Sequence, residues 1–439
     1  MALKKNIFLI TIDCFRADYL NNTHTPFLHE LSRKGISIGR FFAEGPGTPI
    51  AFISLFTSTY PLMFNGYREL TPPRTPIVEV LSKSKYLTIG IHDNPFLSRF
   101  FGFHRGFKIF VDLGEGSLYR KMVFKKRHPI KKTISKVLRS LKVLGLIKAL
   151  KGKKEEIRAP YASAEIVVKT AINKLQQSGI KERVFLWMHF MDAHAPFNIR
   201  EEYLERLNPK LASEMSQMSL RSIYKDTTLV KLLYSSQLLY VDAQVREFIH
   251  YLEDKGYLEN GILIVVGDHG EEFREHGEFG HNPKLYRELL HVPFIAQGVE
   301  EDLSAIKSGK EIAYGHVNIA PTILSMCGLE TPKTYVGEVI GRKTLPYVFS
   351  EVAHSRDNTT KVNLKIAKYS VIKYPYHLIL DQEKGTVELY DMERDPQERR
   401  NILGEEKDLA NELLKVLNRH LLREKLSRIR MKYLALRSS

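Results

Sequence analysis

The sequence predicts an α/β fold: a mixed, mostly parallel sheet with helices on both faces, followed by a small C-terminal antiparallel sheet. Three observations carry that expectation. Short apolar runs end in polar residues, the mark of strands buried on both faces. Segments of helical periodicity lie between those runs, and strand–helix alternation covers a parallel sheet. After about residue 345 the runs shorten and are joined by tight turns, which reads as antiparallel pairing.

Each element follows from its own residues. Residues 6–12 (NIFLITI) are a buried first strand. The start MALKKNIFLITIDC imitates a signal peptide, but its apolar stretch is short and no small-residue cleavage site follows. Residues 25–34 show helical spacing. Residues 162–177 repeat it, and residues 184–190 (VFLWMHF) are a second strand. A long helix spans 229–252, and a third strand covers 262–266. Residues 369–372, 377–381 and 386–390 are short runs, with a Lys-Gly turn between the last two, and read as a small antiparallel sheet. A helical tail runs from about 405 to 436. The expected division is 1–345 for the α/β domain, with a basic insertion at 119–156. A C-terminal antiparallel subdomain at 346–403 and a basic tail at 404–439 complete it.

Composition excludes several classes. The chain has 439 residues, 43% hydrophobic and 26% charged, so disorder and low complexity are out. Two cysteines, Cys14 and Cys327, rule out a disulfide framework and a cysteine-based zinc site, and fit a reducing compartment. No run reaches 18 apolar residues, so no spanning segment is expected. The expected location is cytoplasmic. GxGxxG and GxxxxGK[ST] are both absent, which removes the warrant for dinucleotide and P-loop readings.

The net charge of +16 is unevenly placed. Residues 120–154 hold 14 Lys or Arg and no acid, and residues 415–437 hold eight against Glu424 alone. The remainder is mildly acidic. Within 130–150, Ile134, Val137, Leu138, Leu141 and Leu144 fall at helical spacing, with Lys131, Lys132, Lys136, Arg139 and Lys142 mostly off that stripe. Two readings compete closely here: a helix packed on the body with solvated charges, and a helix lying on an anionic membrane surface. Nucleic-acid binding is disfavoured, because the stretch has no recognisable fold and few aromatics.

Strand ends carry the chemistry, as ligand sites in such sheets do. Asp13 follows the first run; alone it reads more readily as a helix N-cap or turn residue than as a metal ligand. Asp192 and His194 follow the second. Asp268 and His269 follow the third, in Gly267-Asp268-His269-Gly270-Glu271-Glu272. His276, His281 and His291 come soon after, so four of the 16 histidines fall within 23 residues. Asp with imidazole at a strand end suits a divalent metal. The plainer alternative is a polar loop whose histidines cap helices. His276 and His281 do not form an HExxH pair. Thr48-Pro49 explains itself structurally as an N-cap followed by an N1 proline. A helix start also offers free N–H groups to an anionic ester, and a hydroxyl there could attack phosphorus or sulfur.

The order of these segments is more specific than any one of them. ITIDCFRADYL, a Thr-Pro helix start running into SLFTSTYP, FLWMHFMDAHAPF, VVGDHGEEFREHG and GHNPKLYRELLHVPF occur in sequence, then HVNIAPTILSMCGLETP and ELYDMERDPQERRNIL. Over residues 5–118 and 157–403 the chain resembles the sulfatase family of the alkaline phosphatase superfamily. The resemblance implies an alkaline phosphatase-like fold and one divalent metal cation (Mn, Zn, Ca or Mg). Its ligands would be Asp13, Asp268 and His269, with the nucleophile Thr48 as a fourth. His194 and His281 would bind the transferred group or act as acid, and Lys284 would be a charge partner.

The chain departs from the family pattern in places. Sulfatases carry Cys or Ser in C/S-x-P-S-R and oxidise it to formylglycine. Here Thr48 stands at that position, the proline comes one place early, and Ala51 and Phe52 replace Ser and Arg. Oxidised threonine would be a ketone, not an aldehyde. The lysine of the family's GKWH motif is replaced by the stretch Ile91-His92-Asp93-Asn94. Thr with Asp and His resembles the phospho-transferring branch: phosphodiesterases, lipoteichoic acid synthases and phosphoethanolamine transferases. The expected function is metal-dependent hydrolysis or transfer of a phosphoester through a covalent threonine. Sulfate-ester hydrolysis at the same site is the first alternative, and a metal-binding chain without catalysis is the second.

Overall fold

The computed structural model describes residues 5–65, 67, 69–115, 160–299, 303–304, 306–307, 311–342, 346–354 and 362–438. The basic insertion expected at 119–156 falls wholly within 116–159, outside the described residues.

A seven-stranded sheet forms the centre. Its strands are β1 (Asn6–Ile12), β2 (Ile36–Ser37), β3 (Leu87–His92), β4 (Ile109–Asp112), β5 (Val184–Phe190), β6 (Gly261–Gly267) and β7 (Phe294–Gln297), in the order β2-β7-β6-β1-β5-β3-β4. The five strands from β6 to β4 run parallel, while β7 is antiparallel to both β6 and β2. The sheet is therefore mixed and mostly parallel, as expected.

Its central strand shows why the apolar runs are unbroken. In β1, Phe8, Ile10 and Ile12 face a core shared with Ala164, Val167 and Leu238, from the helices Ala164–Ser178 and Thr227–Asp254. Ile7 and Leu9 face the opposite core, shared with Phe52 and Phe56 of the helix Thr48–Thr57 and with Ile323 of the helix Ile319–Met326. Both faces are covered, so alternation disappears.

Four strands were not legible as apolar runs, and one of them, β2, has only two residues. β3 contains Gly90, where an added Cβ would come within 2.9 Å of the Phe107 ring. That glycine serves close packing and weakens the strand signal. β4 and β7 have only four residues each.

The C-terminal sheet is antiparallel, as expected, and has four strands. To the three predicted from sequence the structure adds β8 (Val348–Val352). It precedes β9 (Lys368–Lys373), β10 (Tyr376–Asp381) and β11 (Thr386–Asp391). The tail helix Lys407–Ser438 lays Leu413 and Leu417 against Val371, Leu378 and Leu389, and the same cluster contains Ile50 and Leu62 from the body. A buried polar contact fixes the join: His420 Nε2 lies 2.6 Å from Glu351 Oε1, and Leu62 N–H donates to Glu351 Oε2 at 3.0 Å. Among the described residues, no helix is long and apolar enough to cross a membrane.

Candidate active site

Sheet register brings the site together. Ile12 pairs with Phe190 on one side and Gly267 on the other, so β1, β5 and β6 end level. Asp13 N–H donates to Phe190 O, and Asp268 N–H to Ile12 O. The carboxylates of Asp13 and Asp268 thus leave adjacent strands at one edge, both fully buried. Cys14 turns the chain away at φ 57°, and its N–H donates to Asp268 Oδ1 at 3.1 Å. A positive φ on a side-chain-bearing residue is strained backbone, and such strain clusters at functional sites.

Thr48 is not the N-cap that its sequence suggests. The helix Thr48–Thr57 is preceded by Gly47, and Thr48 is its first residue. The N–H groups of Ile50 and Ala51 both reach Gly47 O at 3.0 Å, so backbone closes the first turn. The Thr48 hydroxyl is released for other work. It donates to Asp13 Oδ2 at 3.0 Å and lies 3.4 Å from His269 Nε2.

These donors fit a divalent cation. His269 Nε2 is 3.7 Å from Asp13 Oδ1 and 3.6 Å from Asp268 Oδ2, too far for hydrogen bonds. Ligands about 2.1 Å from a common ion stand about 3–3.5 Å apart, and the separations here, from 3.0 to 3.7 Å, lie close to that range. Asp268 Oδ2 is buried with no hydrogen-bond partner. An orphaned carboxylate oxygen facing an imidazole is what a ligand set looks like without its ion. His269 Nδ1 lies 2.8 Å from Gly270 O, which leaves Nε2 as the coordinating atom.

Two residues that sequence reading passed over join this set. His189 is fully buried in β5, with Nε2 3.2 Å from Asp13 Oδ2 and Nδ1 2.9 Å from Thr11 Oγ1. Trp187 Nε1–H also donates to Thr11 Oγ1. The signal was available: a histidine inside an apolar run must have a polar partner. Asn94 accepts from Phe96 N–H through Oδ1, which turns Nδ2 toward Asp13 Oδ2 and Thr48 Oγ1, each at 3.3 Å. It lies in the stretch where the family's lysine is missing.

A second histidine layer sits beside the first. The rings of His194 and His281 are 5.0 Å apart, and His281 is 4.7 Å from His269. His194 Nδ1 is held by Ala195 O at 2.6 Å, and His281 Nδ1 by the buried Glu271 carboxylate at 2.9 Å. Cys14 Sγ is 3.2 Å from Glu271 Oε2 and 3.1 Å from Asp13 Oδ1.

Lys284 is not in this cluster. Its ammonium donates to both oxygens of the buried Glu272, at 3.1 and 2.9 Å, and to His276 O. His276 and His291 are likewise structural. His276 Nδ1 meets Glu288 at 2.7 Å, and His291 Nε2 meets Gly39 O at 2.7 Å.

Electrostatics follow from burial and neighbours. Burial raises the Asp13 carboxyl, but His194, His189 and His269 outweigh it and hold it well below the carboxylate range. Burial and then Asp13 push Asp268 well above that range, because two adjacent buried carboxylates do not both ionise without a cation. Burial and then His281 lower His269 to about 4, keeping it a neutral ligand. Burial and then Glu271 raise the Cys14 thiol, which stays protonated. Burial lowers His194. For His281 burial is outweighed by Glu271, and its value is raised.

The chain is similar to known proteins in sequence and in fold. The Sulfatase family model matches residues 5–329. Arylsulfatase K of Danio rerio is 24% identical over 53% of this chain and 42% of that protein. N-acetylglucosamine-6-O-sulfatase of Bacteroides thetaiotaomicron is 27% identical over 39% of this chain and 31% of that protein. The chain spans less than half the length of these relatives. Among solved structures, a protein in complex with its substrate D-glucosamine-2-N,6-O-disulfate superposes with TM-score 0.71 at 15% identity, covering 96% of this chain and 98% of that one. The phosphonate monoester hydrolase of Silicibacter pomeroyi superposes with TM-score 0.66 at 16% identity, covering 97% and 96%. At these identities the superpositions establish the fold.

Proposed function

The chain belongs to the sulfatase family of the alkaline phosphatase superfamily, and we propose that it is a metal-dependent hydrolase or transferase acting on a phosphoester through a covalent Thr48 intermediate. One observation carries this reading: the Thr48 hydroxyl caps nothing and instead points at Asp13 and His269.

Asp13, Asp268, His269 and Thr48 would hold the divalent cation. When bound, it supplies a Lewis acid that lowers the pKa of the Thr48 hydroxyl and offsets charge on the transferred group. Thr48 Oγ1 gives up its proton through Asp13 Oδ2, the acceptor of its hydrogen bond, to solvent, and attacks phosphorus in line, forming a P–O bond to the threonine as the P–O bond to the leaving alcohol breaks. Asn94 Nδ2 faces the reacting oxygen as a fixed hydrogen-bond donor. The leaving oxygen takes its proton from His281 or His194. Glu271 anchors His281 through Nδ1, which leaves Nε2 to reach the substrate. Water or an acceptor alcohol then attacks phospho-Thr48 and restores the hydroxyl.

Sulfate-ester hydrolysis by the same residues is the second reading. The relatives named as sulfatases favour it; threonine at position 48, with no Arg at 52, favours phosphoryl transfer. Metal-reconstituted protein assayed on matched aryl phosphate monoester, diester and sulfate separates the two. Phosphorylated Thr48 in acid-quenched turnover, seen by mass spectrometry, is the expected result. Higher kcat/KM on the sulfate reverses the assignment. Stoichiometric metal binding with no turnover of any ester would leave a binding protein on a sulfatase fold.

A further inference from the structure

The tail helix Lys407–Ser438 has two apolar faces, and the body covers only one. The inner face buries Leu413, Leu417, His420 and Glu424. On the outer face Leu422, Leu426 and Ile429 are 55%, 56% and 52% exposed. They fall at i, i+4 and i+7, so they form one stripe along the helix. Lys415, Arg419, Arg423 and Lys425 are exposed on and beside that stripe. Between residues 413 and 438 the sole acid is Glu424, and it is buried on the inner face. The outer face is therefore aliphatic and cationic, with no negative charge among the described side chains of this stretch.

We propose that this face binds the surface of an anionic lipid bilayer. A solvated helix places polar residues where Leu422, Leu426 and Ile429 stand. An interfacial helix needs both features found here: an aliphatic stripe to sink below the headgroups and flanking Lys and Arg to meet anionic lipid. Nucleic acid would satisfy the cations but bury none of the stripe. A second copy would satisfy the stripe but set like charges against each other. The basic segment 120–154, for which membrane contact is one of two competing readings, lies outside the described residues, and the tail carries the proposal without it. The proposal is independent of the chemistry at Thr48.

Vesicle co-flotation of the full chain tests it. The vesicles are phosphatidylcholine alone, or phosphatidylcholine with 30% phosphatidylglycerol, at low and high salt. Wild-type protein is expected to float with the anionic vesicles at least about tenfold better than with neutral ones, and to be released by salt. The triple variant Leu422→Asp/Leu426→Asp/Ile429→Asp is expected to remain in buffer, with unchanged circular dichroism and Tm. Two further results would overturn the proposal, as would undiminished flotation of the triple variant. One is a wild-type dimer in light scattering that the triple variant loses while neither protein floats. The other is a salt-sensitive duplex-DNA shift that the triple variant abolishes, again without flotation.

Discussion

Thr48 Oγ1 donates a 3.0 Å hydrogen bond to Asp13 Oδ2, joining the first residue of a helix to the end of the central strand. Since backbone already closes that helix turn, the hydroxyl adds only one buried hydrogen bond to stability, about 1 kcal/mol. Thr48→Ala should therefore fold with a Tm within a few degrees of wild type and lose about 10³-fold or more in kcat. Thr48→Ser should keep measurable turnover and form the corresponding phosphoserine adduct. Near-native rates in Thr48→Ala would give the attack to a water molecule instead.

His189 touches Asp13 from behind, through Nε2 at 3.2 Å, while Thr11 steadies its other nitrogen. Groups that orient a ligand from outside typically change metal affinity about 10–100-fold. His189→Ala should thus need a higher free metal concentration for half-maximal activity, and excess metal should restore most of kcat. Titration with metal, followed by activity and by elemental analysis, checks this. A kcat deficit that saturating metal leaves untouched would mean that His189 does more than position Asp13.

How much of this was readable in advance follows from burial. β1, β5 and β6 were legible because both faces are covered, and β3 was not because Gly90 makes room for Phe107. Asp13, Asp268, His269, His194 and His281 were legible because each follows a strand run or belongs to the dense histidine segment. His189 and Asn94 were missed for opposite reasons: one hides inside an apolar run, and the other lies in a loop whose aim only tertiary structure reveals. The role of Thr48 as a cap was wrong because a backbone carbonyl, that of Gly47, closes the turn.

Lys284 was expected as a charge partner of the substrate, yet its ammonium sits on Glu272, a fully buried carboxylate. Removing one partner of a buried ion pair typically costs about 3–5 kcal/mol. Backbone N–H groups of His276 and Glu278 also bind Glu272 and temper that loss. Lys284→Met should lower Tm clearly while kcat per folded molecule stays within a few-fold. A hundredfold fall in kcat at unchanged Tm would return Lys284 to the substrate.

The tail helix joins the body through Glu351, His420 and Glu424, and its stability should depend on pH through Glu424. Burial and then the neighbouring Glu351 hold the Glu424 carboxyl well above its ordinary 4.5, so it keeps its proton when folded. Below about 4.5 the folded and unfolded chains both carry that proton, and the group contributes no pH dependence. As pH rises past 4.5 the unfolded chain releases it and the folded chain does not. Folding then loses stability steadily until the folded-state value is reached. Glu424→Gln keeps the shape and a hydrogen-bond donor toward Glu351 but cannot ionise in either state. Its stability relative to wild type should be lowest at pH 4.5 and should climb toward pH 8. His420→Leu should behave differently. It strips the 2.6 Å partner from the buried Glu351 carboxylate, and that loss should be about 3 kcal/mol. Denaturant unfolding of the three proteins at pH 4.5, 6 and 8 measures both effects. A constant difference between Glu424→Gln and wild type across that range would show that Glu424 ionises in the folded chain, with its charge balanced by the Arg428 guanidinium 3.5 Å away.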